Sequence, residues 1–239
     1  METLSKNKIK WIRSFQLKKN RDAAQLFIVE GEKMVKELID HNAAIIECLV
    51  STNDQFHSSV PTYLADSKSM KQISSLKTPN QLLAVVKIRK IEANNAKFIL
   101  ALDGIQDPGN MGTILRTADW FGVDKIICSE NTVDVYNCKV VQASMGSVFR
   151  VPIDYCNLQD YLQTSDLPIY GALLEGDNIY TQELKRSGII VMGNEGSGIS
   201  DSIQSLIQKK IHIPRFGQSE SLNVAVATAV ILSEFCRTQ

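Results

Sequence analysis

Gln106-Asp-Pro-Gly-Asn-Met-Gly-Thr-Ile-Leu-Arg-Thr-Ala118 decides the reading of this chain. A strand-like apolar run, Phe98 to Leu102, leads up to it, and a Pro/Gly turn opens it directly into a helical pattern. In α/β enzymes the loops at such strand ends carry the chemistry. Two later segments repeat the arrangement: Val191-Met-Gly-Asn-Glu-Gly-Ser-Gly-Ile199 and Ile211-His-Ile-Pro-Arg-Phe-Gly-Gln-Ser-Glu-Ser-Leu-Asn-Val-Ala-Val-Ala227. Each is a short apolar run ending in a Gly-rich or polar loop, and three such loops in one domain point to one composite site.

From Lys97 onward strand and helix patterns alternate, which predicts an α/β fold with a mostly parallel sheet covered on both faces. Strands are expected near 98–102, 125–128, 149–153, 168–174, 189–193 and 211–213, and helices over 112–121, 136–144, 158–164, 200–208 and 221–236. The last helix is apolar over most of its surface, so it should be buried against the sheet or against another subunit. Upstream, Ile9, Ile12 and Phe15 sit among bases in one or two short amphipathic helices. Leu26 to Glu30 reads as a buried strand, Gly31 to Asn42 as a helix, and Ile45 to Val50 and Leu82 to Ile88 as further strands. This is a small α/β domain. The polar stretch Lys87 to Ala96 separates the two parts, giving expected boundaries of 1–90, a linker at 91–97, and 98–239.

Of the 239 residues, 44% are hydrophobic and 22% charged, an ordinary globular composition. The run Val224 to Leu232, apolar apart from Thr228, is too short to span a bilayer, and the N-terminus lacks the apolar core of a signal peptide, so a cytoplasmic protein is expected. Five scattered cysteines without a C-x-x-C pair signal neither a disulfide framework nor a zinc site, and three dispersed histidines add no ligand set. Zero net charge hides an asymmetry: residues 1–96 carry +5 and residues 97–239 carry −5. Lys6, Lys8, Lys10, Arg13, Lys18, Lys19 and Arg21 oppose only Glu2 before Asp22, a density that suits phosphate neutralisation or, alternatively, a solvated helix face.

The residue types within the three loops suggest their use. Gly112 lets the backbone approach a ligand, while Ile114, Leu115, Ala118 and Phe121 form the buried stripe of the following helix. Arg116 lies off that stripe, and in the first turns of a helix starting near 112 it would face the positive dipole end. That placement invites a functional explanation, such as a grip on phosphate, over a salt bridge to Asp119 or Asp107. Three glycines from Gly193 to Gly198 suit recognition by backbone N–H groups, with Glu195 the only acid in the loop. Ser221 is placed to cap the last helix.

Asn110-x-Gly112-x-x-x-Arg116-Thr-Ala, Gly193-Asn-Glu195-Gly-x-Gly198, and Ile213-Pro with Ser221-Leu-Asn223-Val-Ala-Val-Ala resemble, in order and spacing, the three motifs of the SpoU (TrmH-type) RNA ribose 2′-O-methyltransferases of the SPOUT superfamily. The resemblance implies a deep trefoil knot in the C-terminal segment, S-adenosylmethionine as cofactor, no metal, and a homodimer with its site near the subunit interface. It implies a catalytic set of Arg116, Glu195, Asn110, Ser221 and Asn223, with Glu195 ordering Arg116 or the acceptor ribose. Gly193, Ile213 and Leu222, with Leu174 from an earlier strand, match positions that line the cofactor pocket. Residues 5–37, with Lys18-Lys-Asn-Arg21 and Phe27-Ile-Val-Glu30-Gly31, look like the N-terminal RNA-binding domain of some members. There Lys8, Lys10, Arg13, Lys18, Lys19 and Arg21 are the expected RNA contacts, and ribosomal RNA is favoured over transfer RNA as substrate.

Two other classes compete. A nucleotide-binding oxidoreductase needs G-x-G-x-x-G near the first strand and an acid about twenty residues on, and neither is present. A catalytically silent RNA-binding relative would retain the basic N-terminal segment equally well, but it has no need of Arg116, Glu195 and Asn223 together with the glycines.

Overall fold

Phe98, Leu100 and Leu102 alternate with Ile99 and Ala101 along one strand, and all five are buried, so this strand has no solvent face. A run of that kind belongs in the middle of a sheet covered on both sides. The computed structural model describes residues 1–237; the last two residues of the expected 98–239 domain lie outside that range. The chain forms two compact units, one of residues 1–89 with 134–146, the other of residues 90–133 with 147 onward.

The first unit holds β1 (Glu2–Thr3), α1 (Lys6–Ser14), α2 (Lys18–Ala24), β2 (Leu26–Glu30), α3 (Glu32–Asn42), β3 (Ile46–Ser51), β4 (Thr62–Leu64), α4 (Ser67–Ile73), β5 (Leu82–Lys87) and α6 (Cys138–Ser144). Its five strands run in the order β1-β4-β3-β5-β2, with β5 antiparallel to both its neighbours. Ser5 caps α1 by accepting from Lys8 N, and Ile9 and Ile12 face inward. Lys6, Lys10 and Arg13 are left exposed at helical spacing, followed by Lys18 and Lys19 at the start of α2. Lys8 is partly occupied, its ammonium lying 3.9 Å from the centre of the Trp11 ring.

Arg21 corrects the expected basic surface. It is 2% exposed, its guanidinium donates to the carbonyls of Phe15 (2.9 Å) and Gln16 (3.0 Å), and it forms an ion pair with Asp134. It ties the α1–α2 turn together and is not available to RNA. The buried Glu30 carboxylate is likewise structural, accepting from Ser74 Oγ (2.6 Å) and Asn80 N (3.1 Å).

The second unit holds β6 (Phe98–Asp103), α5 (Pro108–Trp120), β7 (Lys125–Ser129), β8 (Ile153–Cys156), α7 (Leu158–Gln163), β9 (Ile169–Asn178), β10 (Gly188–Gly193), α8 (Asp201–Gln204), β11 (Lys209–His212) and α9 (Val224–Cys236). All six strands are parallel, in the order β11-β9-β10-β6-β7-β8. Ile99, Ala101, Ile127, Ile189 and Val191 pack with Leu158 and Leu162 of α7 and Ile203 of α8 in one apolar cluster. On α9, Phe235 meets Phe98 and Tyr170, with ring centres 6.0 and 5.0 Å apart. The last helix therefore does pack on the sheet.

Five local expectations shift. The first helix begins at Pro108, not near 112, because Asp107 caps it by accepting from Asn110 N and Pro108 takes the first turn, where no N–H is required. The strand expected at 149–153 starts after Pro152 and runs from Ile153 to Cys156, and the helix expected at 200–208 is the single turn of α8. The cap of α9 is Asn223, not Ser221: Asn223 Oδ1 accepts from Ala225 N and Val226 N. Finally, β9 keeps register with β11 only to Gly171 and resumes it at Asp177, so residues 172–176 leave the ladder as an excursion at the carboxyl edge.

Candidate active site

β6 and β10 lie side by side at the centre of the sheet, with Asp103 opposite Gly193 where both strands end. After β6 the chain continues to β7 and β8 on one side, while β10, β9 and β11 fill the other. Loops leaving the carboxyl ends at such a switch point form a crevice. Asp103 fixes one wall by accepting from Ser200 N and Ser200 Oγ, both at 2.8 Å. Asn194 fixes another: its Nδ2 donates to Gly104 O (2.6 Å) and its Oδ1 accepts from Gly196 N (2.9 Å) and Ser197 N (3.0 Å). Gly193 must be glycine, since a Cβ there would collide with the backbone of Gly198 and Ile199.

Three loops meet through side chains. Asn110 Nδ2 donates to Glu195 Oε1 at 2.9 Å, and Asn223 Nδ2 donates to Asn110 Oδ1 at 2.8 Å. Glu195 also accepts from the backbone N–H of Gln106 and of Asp107, each at 3.3 Å. Partial burial pushes the Glu195 carboxyl up, but the hydrogen bonds from Asn110 and from the backbone of Glu195, Gln106 and Asp107 together outweigh it and hold it below the usual glutamate range. Glu195 is therefore an anion at neutral pH, fully committed as an acceptor. It organises the site and has no proton to give.

Arg116 stands apart from this chain of bonds. It lies in the third turn of α5, beyond the reach of the dipole end, so the electrostatic oddity expected of it disappears with the earlier helix start. Its side chain is exposed and has no hydrogen-bond or ion-pair partner among the described residues. The acids that could have neutralised it are engaged elsewhere: Asp119 with Arg150 and Ser147, Asp107 as the helix cap. Glu195, expected to order Arg116 or the acceptor ribose, bonds Asn110 and not Arg116. Ser221 does not join the cluster either; its carbonyl accepts from Ser219 Oγ at 3.0 Å.

The expected cofactor residues border the same edge. Gly193 ends β10, Ile213 follows β11, and Leu222 and Leu174 are exposed, the latter 79% exposed in the 172–176 excursion and not at a strand end as expected. Large apolar side chains left uncovered suit an apolar ligand face better than a polyanion. Neither Asn194 nor Asp103 was singled out from the sequence. The signals were an Asn preceding glycines, the composition of an Asx turn, and an acid closing an otherwise apolar strand. Among the described residues no group of three or more His, Cys, Asp and Glu side chains could hold a metal ion.

Residues 97–233 match the model of the SpoU rRNA methylase family and residues 6–84 that of the MRM3-like substrate-binding domain. The chain is 31% identical to the 23S rRNA (guanosine(2553)-2′-O)-methyltransferase RlmP of Bacillus subtilis (strain 168), over 97% of each chain. Among solved structures it is similar to a TrmH-family protein from Porphyromonas gingivalis (39% identity, TM-score 0.87, 99% of this chain and 100% of that one). It is also similar to an AdoMet-bound rRNA methyltransferase from Sinorhizobium meliloti (29%, TM-score 0.85, 99% and 97%). The chain belongs to the SpoU rRNA methylase family. It is an S-adenosylmethionine-dependent enzyme that methylates a ribose 2′-hydroxyl in RNA.

Proposed function

We propose that the RNA is 23S ribosomal RNA, that the enzyme works as a homodimer in the cytoplasm, and that Arg116 is its principal catalytic side chain. The observation that carries the site assignment is the Asn223–Asn110–Glu195 chain, which ties all three motif loops into one structure and leaves Arg116 as an unneutralised cation on α5. The likeness to RlmP over nearly the whole of both chains, basic N-terminal unit included, supports ribosomal over transfer RNA.

S-adenosylmethionine supplies an electrophilic methyl group on a sulfonium. The backbone at Gly193 and Ile213, with Leu174 and Leu222, would hold it in the crevice. The chain must then align the ribose, help the 2′-hydroxyl lose its proton, and exclude water. Arg116 is ill suited to act as a neutral base, since guanidinium has a pKa of about 12.5–13.8. As a cation it grips the phosphate of the target nucleotide and stabilises the negative charge developing on the 2′-oxygen, while a phosphate oxygen takes the proton. Asn110 and Asn223, held by the Glu195 anion, fix the loop over which the ribose lies. In the first unit Lys10, Arg13, Lys18 and Lys19 neutralise RNA phosphates, with Lys8 contributing what its ring contacts leave free.

Dimer formation is supported by α5 and α9, which pack against each other and leave Trp120 85% exposed and Val226 half exposed on their outward faces. A trefoil knot in the C-terminal segment stays part of the same proposal. The test offers labelled S-adenosylmethionine and equal amounts of unmodified 23S rRNA and tRNA, with sedimentation for the oligomeric state. Transfer to 23S rRNA by a dimer is the expected result; transfer confined to tRNA, or a fully active monomer, refutes the corresponding part.

A further inference from the structure

The loop joining β11 to α9 carries a side chain that neither the fold nor the catalytic cluster uses. Phe216 is 94% exposed, whereas each of the other seven phenylalanines is buried or half-buried. Arg215 Nη1 donates to Ser219 O at 3.4 Å, closing a short turn whose tip is Phe216-Gly217-Gln218. Gly217 next to it faces open space, since apart from its chain neighbours a Cβ there would meet nothing within 4 Å. The same loop ends seven residues later at Asn223, which reaches Asn110 in the crevice, so Phe216 lies within about 25 Å of the catalytic cluster by chain length alone.

We propose that Phe216 is a positioning residue for the RNA substrate: an unpaired base next to the target nucleotide stacks on its ring. The proposal rests on the reading of this site as an RNA 2′-O-methyltransferase. An uncovered aromatic ring on a short turn, in the loop that ends at Asn223 of the catalytic cluster, has the chemistry of a stacking platform. Proteins that read single-stranded RNA splay bases onto such rings. Both faces of a base are apolar, so the ring would hold the strand without dictating sequence. A β-branched or aliphatic side chain there would offer apolar area but no π face.

The test compares wild type with Phe216→Ala, Phe216→Leu and Phe216→Tyr on an unmodified 23S rRNA transcript, and measures cofactor affinity of each by calorimetry. Loss of one base–aromatic stack should lower kcat/KM for RNA by ~5- to 150-fold in the Ala variant, chiefly through KM, with S-adenosylmethionine affinity unchanged. Tyr should restore the rate and Leu should not. Ultraviolet crosslinking of wild type to the same transcript should yield an RNA adduct on the peptide containing Phe216. Unchanged kcat/KM in the Ala variant, equal rescue by Leu, or a parallel loss of cofactor affinity or of dimerisation would overturn the proposal. Wild-type enzyme that methylates no RNA would instead count against the reading of the site, and in that case absence of the adduct would still refute the stacking role.

Discussion

Asn110 Nδ2 donates to Glu195 Oε1 across 2.9 Å, joining residues 85 positions apart in sequence. The bond unites the first and second motif loops, and Asn223 extends it to the third. Glu195 is exposed, yet its carboxylate takes donors from Asn110, Gln106 and Asp107; a carboxylate held in this way is a structural anchor, and its removal should disturb geometry before it disturbs folding.

Glu195→Gln keeps the shape but replaces one acceptor oxygen by a donor, which then faces either the Gln106 N–H at the Oε2 position or the Asp107 N–H and Asn110 Nδ2 at the Oε1 position. Turnover should fall ~10- to 100-fold while the melting temperature shifts by only a few degrees. Faster amide exchange at Gln106 and Asp107 would report the loosened loop; unchanged exchange with full activity would contradict the anchoring role.

The depressed pKa of Glu195 gives a pH dependence of definite sign. The stabilisation is fully present above the unfolded value of about 4.3 and is lost as pH falls through the lower folded value. A carboxyl titration followed by NMR should place the Glu195 midpoint below ~4.3, and Asn110→Ala should move it upward. A midpoint at or above the ordinary value would show that burial dominates.

Gly193→Ala forces a Cβ into the backbone of Gly198 and Ile199. Overpacking of this kind costs about 1–3 kcal/mol. Thermal unfolding should register that loss, and calorimetry should show S-adenosylmethionine affinity reduced as the loop shifts. Intact stability and affinity would mean that the loop yields freely.

Arg21 and the neighbouring bases should separate cleanly. Arg21→Ala leaves Asp134 partly buried and unpaired, a change that costs about 3–5 kcal/mol in comparable buried pairs. Lys10→Ala or Lys19→Ala should leave stability within ~0.5 kcal/mol but reduce the salt dependence of RNA binding by about one phosphate contact each. Salt-dependent filter binding and thermal melts on the same variants decide between the two outcomes.

How much of this was legible in the sequence depends on the range of the interaction concerned. The three loops were readable because glycine, asparagine and a lone glutamate at strand ends have few other uses. The Asp107-Pro108 helix start was also written locally, as a cap followed by a residue with no N–H to satisfy, although it reads equally as a turn. Asn223 and Ser221 are both good caps two positions apart, and what selects Asn223 is a side chain that can serve α9 and still reach Asn110. Arg21 read as a surface base because Asp134, its partner, lies 113 residues away. The periodicity of α6 likewise gives its apolar face but not the unit it packs on, and Cys138 to Ser144 joins the N-terminal unit.

The most direct test of the account is nucleoside analysis of an unmodified 23S rRNA transcript after incubation with S-adenosylmethionine and either wild-type enzyme or Arg116→Ala. Wild type should yield one 2′-O-methylated nucleoside. Arg116→Ala should bind cofactor normally yet turn over ~10²- to 10³-fold more slowly, as expected for loss of a group that stabilises developing charge. A base-methylated product, or an Arg116→Ala variant that keeps wild-type turnover, would contradict it.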